Sequence, residues 1–298
     1  MSNQCEFGIA FVGRRCFRTF RKHMKSFLLT VAVLSVYRSA HAQVNAGTVF
    51  FVDFLQDEIT IAVDSRTTDS TGKQLDPECK VSAFGNQFVF VMAGLSSKFG
   101  IWNAHDIARE SWKAEAKLGQ SAQDATNAVS RRWTTKIEEK YKDPEIIKDA
   151  REYGPTGEPV LANAVFAAVD PSGGMAVTGI NILYDRALYD ATGKIRIQDQ
   201  PPRVYKAPRS VFGGFSEIAQ EFVAMKTQRA KSYMNWFLPR IAGQGISQQR
   251  AAIATKLIEL TILLHPKNSK LGFPIDVLQI DRFSGIHWIE RKGQCPED

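Results

Sequence analysis

Short runs of β-branched and aromatic residues alternate along this chain with runs of helical period. Val49–Phe54 and Ile59–Asp64 are β-rich, and the polar Gln56-Asp57-Glu58 near their junction predicts a hairpin. Ile59, Ile61 and Val63 alternate with smaller residues, as one buried strand face requires. Val81–Phe84 and Gln87–Ala93 predict a second hairpin across Gly85-Asn86. Two helices follow. Ile101, Ala104, Ala108 and Trp112 mark one apolar stripe, and Val129, Trp133, Ile137 and Tyr141 mark the next at strict i+4 spacing. Ser121-x-x-Asp124 has the form of a capping box for the second.

Asp143 to Pro159 is polar and holds two prolines besides Pro159, with Gly154 and Gly157, so it reads as a loop. Leu161–Asp170 and Met175–Tyr184 predict strands around Pro171-Ser172-Gly173-Gly174. Asp185 to Pro208 is a polar insertion, and Val211–Gly214 a short extended run. Ser216 is placed to cap a helix bearing Ile218, Phe222, Met225 and Tyr233; Ser247 is placed to open another bearing Ile253, Leu257, Leu260 and Leu264. Ile275–Asp281 and Ile286–Glu290 predict a last hairpin. The order is strands, two helices, strands, two helices, strands. Each sheet has one face to bury on the other sheet and one to cover with helices. An α+β fold, as a four-layer αββα sandwich, satisfies that count.

The formal net charge of +7 suggests a nucleic-acid or membrane partner at first sight. Its distribution removes that reading. Arg14, Arg15, Arg18, Arg21, Lys22, Lys25 and Arg38 stand against Glu6 alone in residues 1–42, which leaves the remainder near neutral. No nucleic-acid partner is expected. Phe27–Val36 is apolar but short for a bilayer span, basic residues precede it, and Ala40-His41-Ala42 follows. These are the parts of a secretory signal, so residues 1–42 are expected to be removed, with no stable membrane anchor and an exported (periplasmic or secreted) product. Residues 43–47 are then a short propeptide. Cys5 and Cys16 fall in the leader; Cys79 and Cys295 either pair in an oxidising compartment or stay as two small apolar residues.

Thr48, Asp64, Arg66, Thr68, Lys80 and Gly94 lie at the ends and edges of the first strands. Singly, each has an ordinary reading: a strand-leading Thr, a surface ion pair, a solvated Lys, a turn Gly. Together, with Gly47 before Thr48 and in ungapped register, they resemble the catalytic half of a proteasome β-type subunit, an N-terminal-nucleophile (Ntn) hydrolase. In that family a Gly-Thr bond is cut so that Thr becomes the first residue. The resemblance implies a proteasome-like sandwich, a peptide or protein substrate, a homo-oligomer with a ring by analogy, and no cofactor or metal.

The implied chemistry is economical. A Thr hydroxyl is a poor nucleophile near neutral pH and needs a base. A free α-amino group titrates near ~7.7–8.0 and can serve. No His is then needed, which suits His105, His265 and His287 at unrelated spacings. By the resemblance, Thr48 attacks, Lys80 beside it stabilises negative charge, Asp64 holds Lys80, Arg66 braces the network, and Gly94 offers a backbone N–H to the oxyanion. Gly47 permits the tight turn of self-cleavage. Thr67, Glu78, Ser82, Met92 and Ser96, with Thr68 nearby, fall around the first substrate pocket. Met92 favours apolar side chains, and Glu78 a basic one.

The later chain departs from the family. Gly213 falls where the family carries a Ser, and Asn268 and Leu271 where it carries an Asp and a second Ser. Two other functions fit such a chain: a non-catalytic relative that serves in assembly or binding, and an Ntn acylase acting on small amides.

Overall fold

The computed structural model describes residues 48–68, 74–75, 79–98, 102–143, 160–183, 185–192, 196–197, 202–265 and 271–292. Residues 1–47, with the expected leader, the expected propeptide and Gly47, and Glu78, Asn268 and Cys295 lie outside the described residues. The chain divides into two units, Met1–Ala42 and Gln43–Asp298, and all the described residues belong to the second.

The first hairpin is β1 (Val49–Phe54) and β2 (Glu58–Asp64). Two-residue strands β3 (Thr67–Thr68) and β4 (Gln74–Leu75) pair with each other. The second hairpin is β5 (Val81–Phe84) and β6 (Phe88–Gly94), turning at Gly85 with φ of 58°. A small pair, β7 (Ser97–Lys98) and β8 (Trp102–Asn103), leads into helix α1 (Ala104–Glu115). The Asn103 side chain caps α1 by accepting from the His105 N–H at 2.7 Å. Helix α2 (Ala122–Lys140) starts at Ser121, whose hydroxyl accepts from the Asp124 N–H at 3.1 Å. Val129, Trp133 and Ile137 form its buried stripe, as their spacing predicts.

Strands β9 (Val160–Val169) and β10 (Met175–Leu183) follow. The polar insertion forms helix α3 (Arg186–Thr192), β11 (Arg196–Ile197) and β12 (Arg203–Tyr205). Both strands extend the sheet beyond β10. Then come β13 (Arg209–Gly214), α4 (Glu217–Val223), α5 (Gln228–Ile241), α6 (Ile246–Leu264), β14 (Ile275–Asp281) and β15 (Gly285–Glu290). The single helix expected from Ser216 to Tyr233 is broken in two. Met225 takes a positive φ of 45°, and the Thr227 hydroxyl starts α5 afresh by accepting from the Ala230 N–H. Ser216 makes no capping bond, and Gly245 rather than Ser247 is the N-cap of α6. Ser247 instead donates from its hydroxyl to Glu58.

The result is a mixed α and β fold with two main antiparallel sheets. One runs in the order β13-β1-β2-β14-β15; the other runs β11-β10-β9-β6-β5, with β12 also on β10. Side-chain parity sorts the core into three clusters. Phe50, Val52, Ile61 and Val63 of the first sheet meet Val89, Val91, Val165 and Val177 of the second. Phe90, Met92 and Phe166, on the opposite side of the second sheet, meet Trp133 and Ile137 of α2. Val49, Phe51 and Ala62 meet Phe222, Ala254 and Leu257 of α4 and α6. Alternating side chains of one strand thus feed two cores, so β2 is buried along its whole length.

Candidate active site

β2 ends at Asp64, which is fully buried (0% exposed), as are Thr48 at 3% and Lys80 at 5%. The Asp64 carboxylate gathers three donors from separate parts of the chain. The Val49 N–H, next to Thr48, donates to Oδ1 at 2.9 Å. The Gly272 N–H, on the approach to β14, donates to Oδ2 at 3.1 Å. Lys80 Nζ, one residue ahead of β5, stands 3.4 Å from each oxygen and also donates to the Arg66 carbonyl. Burial pushes the Asp64 carboxyl up from its ordinary value, against the pull of Lys80 and the two backbone donors. All three partners are donors, so the acceptor-only carboxylate is the form they fit.

Arg66 lies over Gly272 and donates to the Leu271 carbonyl at 3.4 Å. A Cβ at Gly272 would come within 2.3 Å of its guanidinium carbon. Gly94 ends β6 with φ of +103°, and a Cβ there would lie 2.1 Å from the Leu161 carbonyl oxygen. Only glycine lets the two strands close at that point.

Several residues not singled out in the sequence complete the corner. Val49 pairs with Gly214 across β1 and β13, and the Phe215 N–H donates to the Thr48 carbonyl at 3.2 Å. A Cβ at Gly214 would lie 1.7 Å from the Thr48 carbonyl oxygen, whereas one at Gly213 would strike the Phe50 ring at 2.3 Å. It is therefore Gly214, one residue beyond the position aligned with the family's Ser, that abuts the candidate nucleophile. Asn163 holds this segment, accepting from the Gly214 N–H at 3.0 Å and donating to Asn181 at 2.6 Å. An Asn within the apolar run Val160–Val169 was the visible signal for it.

The proposed pocket residues divide. Met92 is buried in the helix-facing core beside Phe90 and Trp102. Ser82 pairs with His105 Nδ1 at 2.8 Å. Burial first, then Arg109 and Lys80, lower the His105 pKa to about 3, so the ring is neutral at physiological pH. Ser96 is half-buried and accepts from the Ala104 N–H through its carbonyl at 2.7 Å. Thr67 and Thr68 begin β3 directly after Arg66. Cys79, beside Lys80, is disulfide-bonded.

No family model matches the chain, and no curated protein matches it. Among solved structures it is similar to the Anbu (Gly-1) mutant from Hyphomicrobium sp. strain MC1, with a TM-score of 0.47 and 14% identity over 85% of this chain and 89% of that chain. So distant a likeness carries no argument, and the functional reading stands on the chain's own geometry.

Proposed function

We propose that this protein is an exported threonine-type hydrolase of peptide or other amide bonds, built as a four-layer αββα Ntn sandwich. The observation that carries the reading is the Asp64 carboxylate, which joins the backbone beside Thr48 to the Lys80 ammonium. In the full chain Thr48 is internal and its nitrogen is an amide, which cannot act as a base. Removal of residues 1–42 and then of 43–47 frees an amine that titrates near ~7.7–8.0, within reach of its own hydroxyl.

The amine then accepts the Thr48 hydroxyl proton as Oγ attacks the substrate carbonyl carbon. Lys80, held by Asp64 and the Arg66 carbonyl, stabilises the developing negative charge. The acyl group passes to Thr48, the leaving amine takes the proton, and water releases the acid in a second step. Assembly into a homo-oligomer belongs to this reading.

Gly213, aligned with the position where the family carries a Ser, favours a second reading, a non-catalytic assembly or binding subunit. The Phe50 ring, 2.3 Å from where a Cβ would stand, leaves no volume there for a side-chain hydroxyl. An Ntn acylase of small amides is the third possibility. Thr48→Ala decides between the first and second. The proposal expects wild-type protein to start at Thr48 and hydrolyse members of a peptide panel, and the variant to retain residues 43–47 and do neither. Wild-type protein that starts at Gln43 and turns over nothing supports the second. Turnover of acyl amides but no peptides moves the assignment to the third.

A further inference from the structure

A second buried polar cluster adjoins the same corner. Ser65 sits between Asp64 and Arg66, one residue beyond the end of β2, and its hydroxyl bonds Asp276 rather than the partners of Asp64. Every polar group of Ser65 is tied to the C-terminal part of the chain. Its N–H donates to the Pro274 carbonyl at 3.0 Å and its hydroxyl donates to Asp276 Oδ2 at 2.6 Å. Its carbonyl accepts from Lys292 Nζ at 2.8 Å, and the Lys292 N–H donates to Asp276 Oδ1 at 2.9 Å. Ser65, Asp276 and Lys292 are all buried. Asp276 lies opposite Val63 in the β14–β2 ladder, so a central strand carries it.

The geometry points to Asp276 as a positioning residue: through Ser65 and Lys292 it fixes the backbone that aims Asp64 and Arg66, and so makes the site depend on the segment beyond β15. This rests on the threonine-hydrolase reading for its kinetic consequence, but not for its structural one. Asp64 and Ser65 are both bound by Gly272, and Ser65 is bound further by Pro274, Asp276 and Lys292. A small rotation of the Ser65 backbone moves Asp64 relative to Val49 and Lys80. Misplacement by about 1 Å costs catalysis about a hundredfold. A buried polar cluster that only stabilised the fold would have no such effect on kcat.

The test compares Asp276→Asn with Glu58→Gln, a buried carboxylate at the far end of β2, and adds Lys292→Arg as the conservative variant. Asp276→Asn is expected to slow Gly47–Thr48 cleavage and to lower kcat by about tenfold to a hundredfold, with KM within about twofold. Glu58→Gln is expected to lower Tm without that loss, and Lys292→Arg to keep most of the rate. Independently of turnover, hydrogen exchange at the Val49 and Gly272 amides is expected to rise about tenfold in Asp276→Asn. Unchanged exchange at both amides overturns the proposal, as does a fall in kcat no larger than that of Glu58→Gln. If Thr48→Ala retains hydrolysis, the functional reading fails and the amide-exchange result alone decides the positioning role.

Discussion

β2 carries a buried, ion-paired carboxylate at each end, and the two ends are built differently. At its start Glu58 meets Arg250 of α6 at 2.8 Å, and the same guanidinium reaches Asp53 at 3.1 Å. Gln279 donates to Glu58 and Thr60, Thr60 donates to Glu58, and Ser247 closes the ring. That cluster docks a helix on a sheet through side chains whose needs are met by one another. At the other end Asp64 is held by one lysine and by two backbone N–H groups, one of them next to Thr48. Burial and ion pairing are common to both. What separates them is that Asp64 accepts from the backbone N–H of Val49, next to the candidate nucleophile Thr48, whereas the Glu58 carboxylate meets side chains of its own cluster and the guanidinium of a docking helix.

Lys80→Met tests the functional end and is expected to give the largest effect. Activity on whichever amide substrate the wild type cleaves should fall by about a thousandfold or more, with far-ultraviolet circular dichroism unchanged. A variant with wild-type rates would erase the distinction between the two ends. Arg250→Met tests the structural end. It strands Glu58 in the interior, so denaturant melts should show a loss of about 3–5 kcal/mol, with kcat of the folded fraction unaltered. Gly94→Ala meets both the strand clash and the positive φ, and a loss of about 1–3 kcal/mol is expected from the same melts.

The pH dependence sharpens the comparison further. Burial raises the folded pKa of Asp64 above the ordinary value of 3.8. The stability contributed by this group is therefore fully present below that value and is lost as pH rises through the folded pKa. Asp64→Asn should flatten that part of a stability-against-pH curve. Asp170, on the turn between β9 and β10, behaves with the opposite sign. Burial raises its pKa, but bonds from the Ser172 hydroxyl and the Ala122, Gly174 and Ser172 N–H groups outweigh it and hold the value down. Its contribution is present above the ordinary value and lost on acidification through the lowered one. Asp170→Ala, which removes an acceptor at the start of α2, should cost about 1 kcal/mol at neutral pH, read from a melt.

The fold was legible where local chemistry and tertiary packing agree. The strands around Thr48, Asp64 and Lys80 follow from alternation and turn residues, and the α2 stripe follows from its i+4 spacing. The break after Val223 was hidden because the apolar positions on either side keep a helical period across it. At the site, Asp64, Arg66 and Lys80 were readable and the structure brings them together. Gly272, Asp276 and Lys292 were not, because their part in the corner depends on a β14 pairing more than two hundred residues away in sequence, which no local spacing encodes. The approach of Gly214 to Thr48 was not readable either, since only the strand register with Val49 says which glycine of the pair meets the Thr48 backbone.

The most direct test is the intact mass of the purified, active protein. The account predicts a chain that starts at Thr48 in the wild type and keeps residues 43–47 in Thr48→Ala, with activity following the cut. Full activity in a chain that still carries those five residues ahead of Thr48 would contradict it.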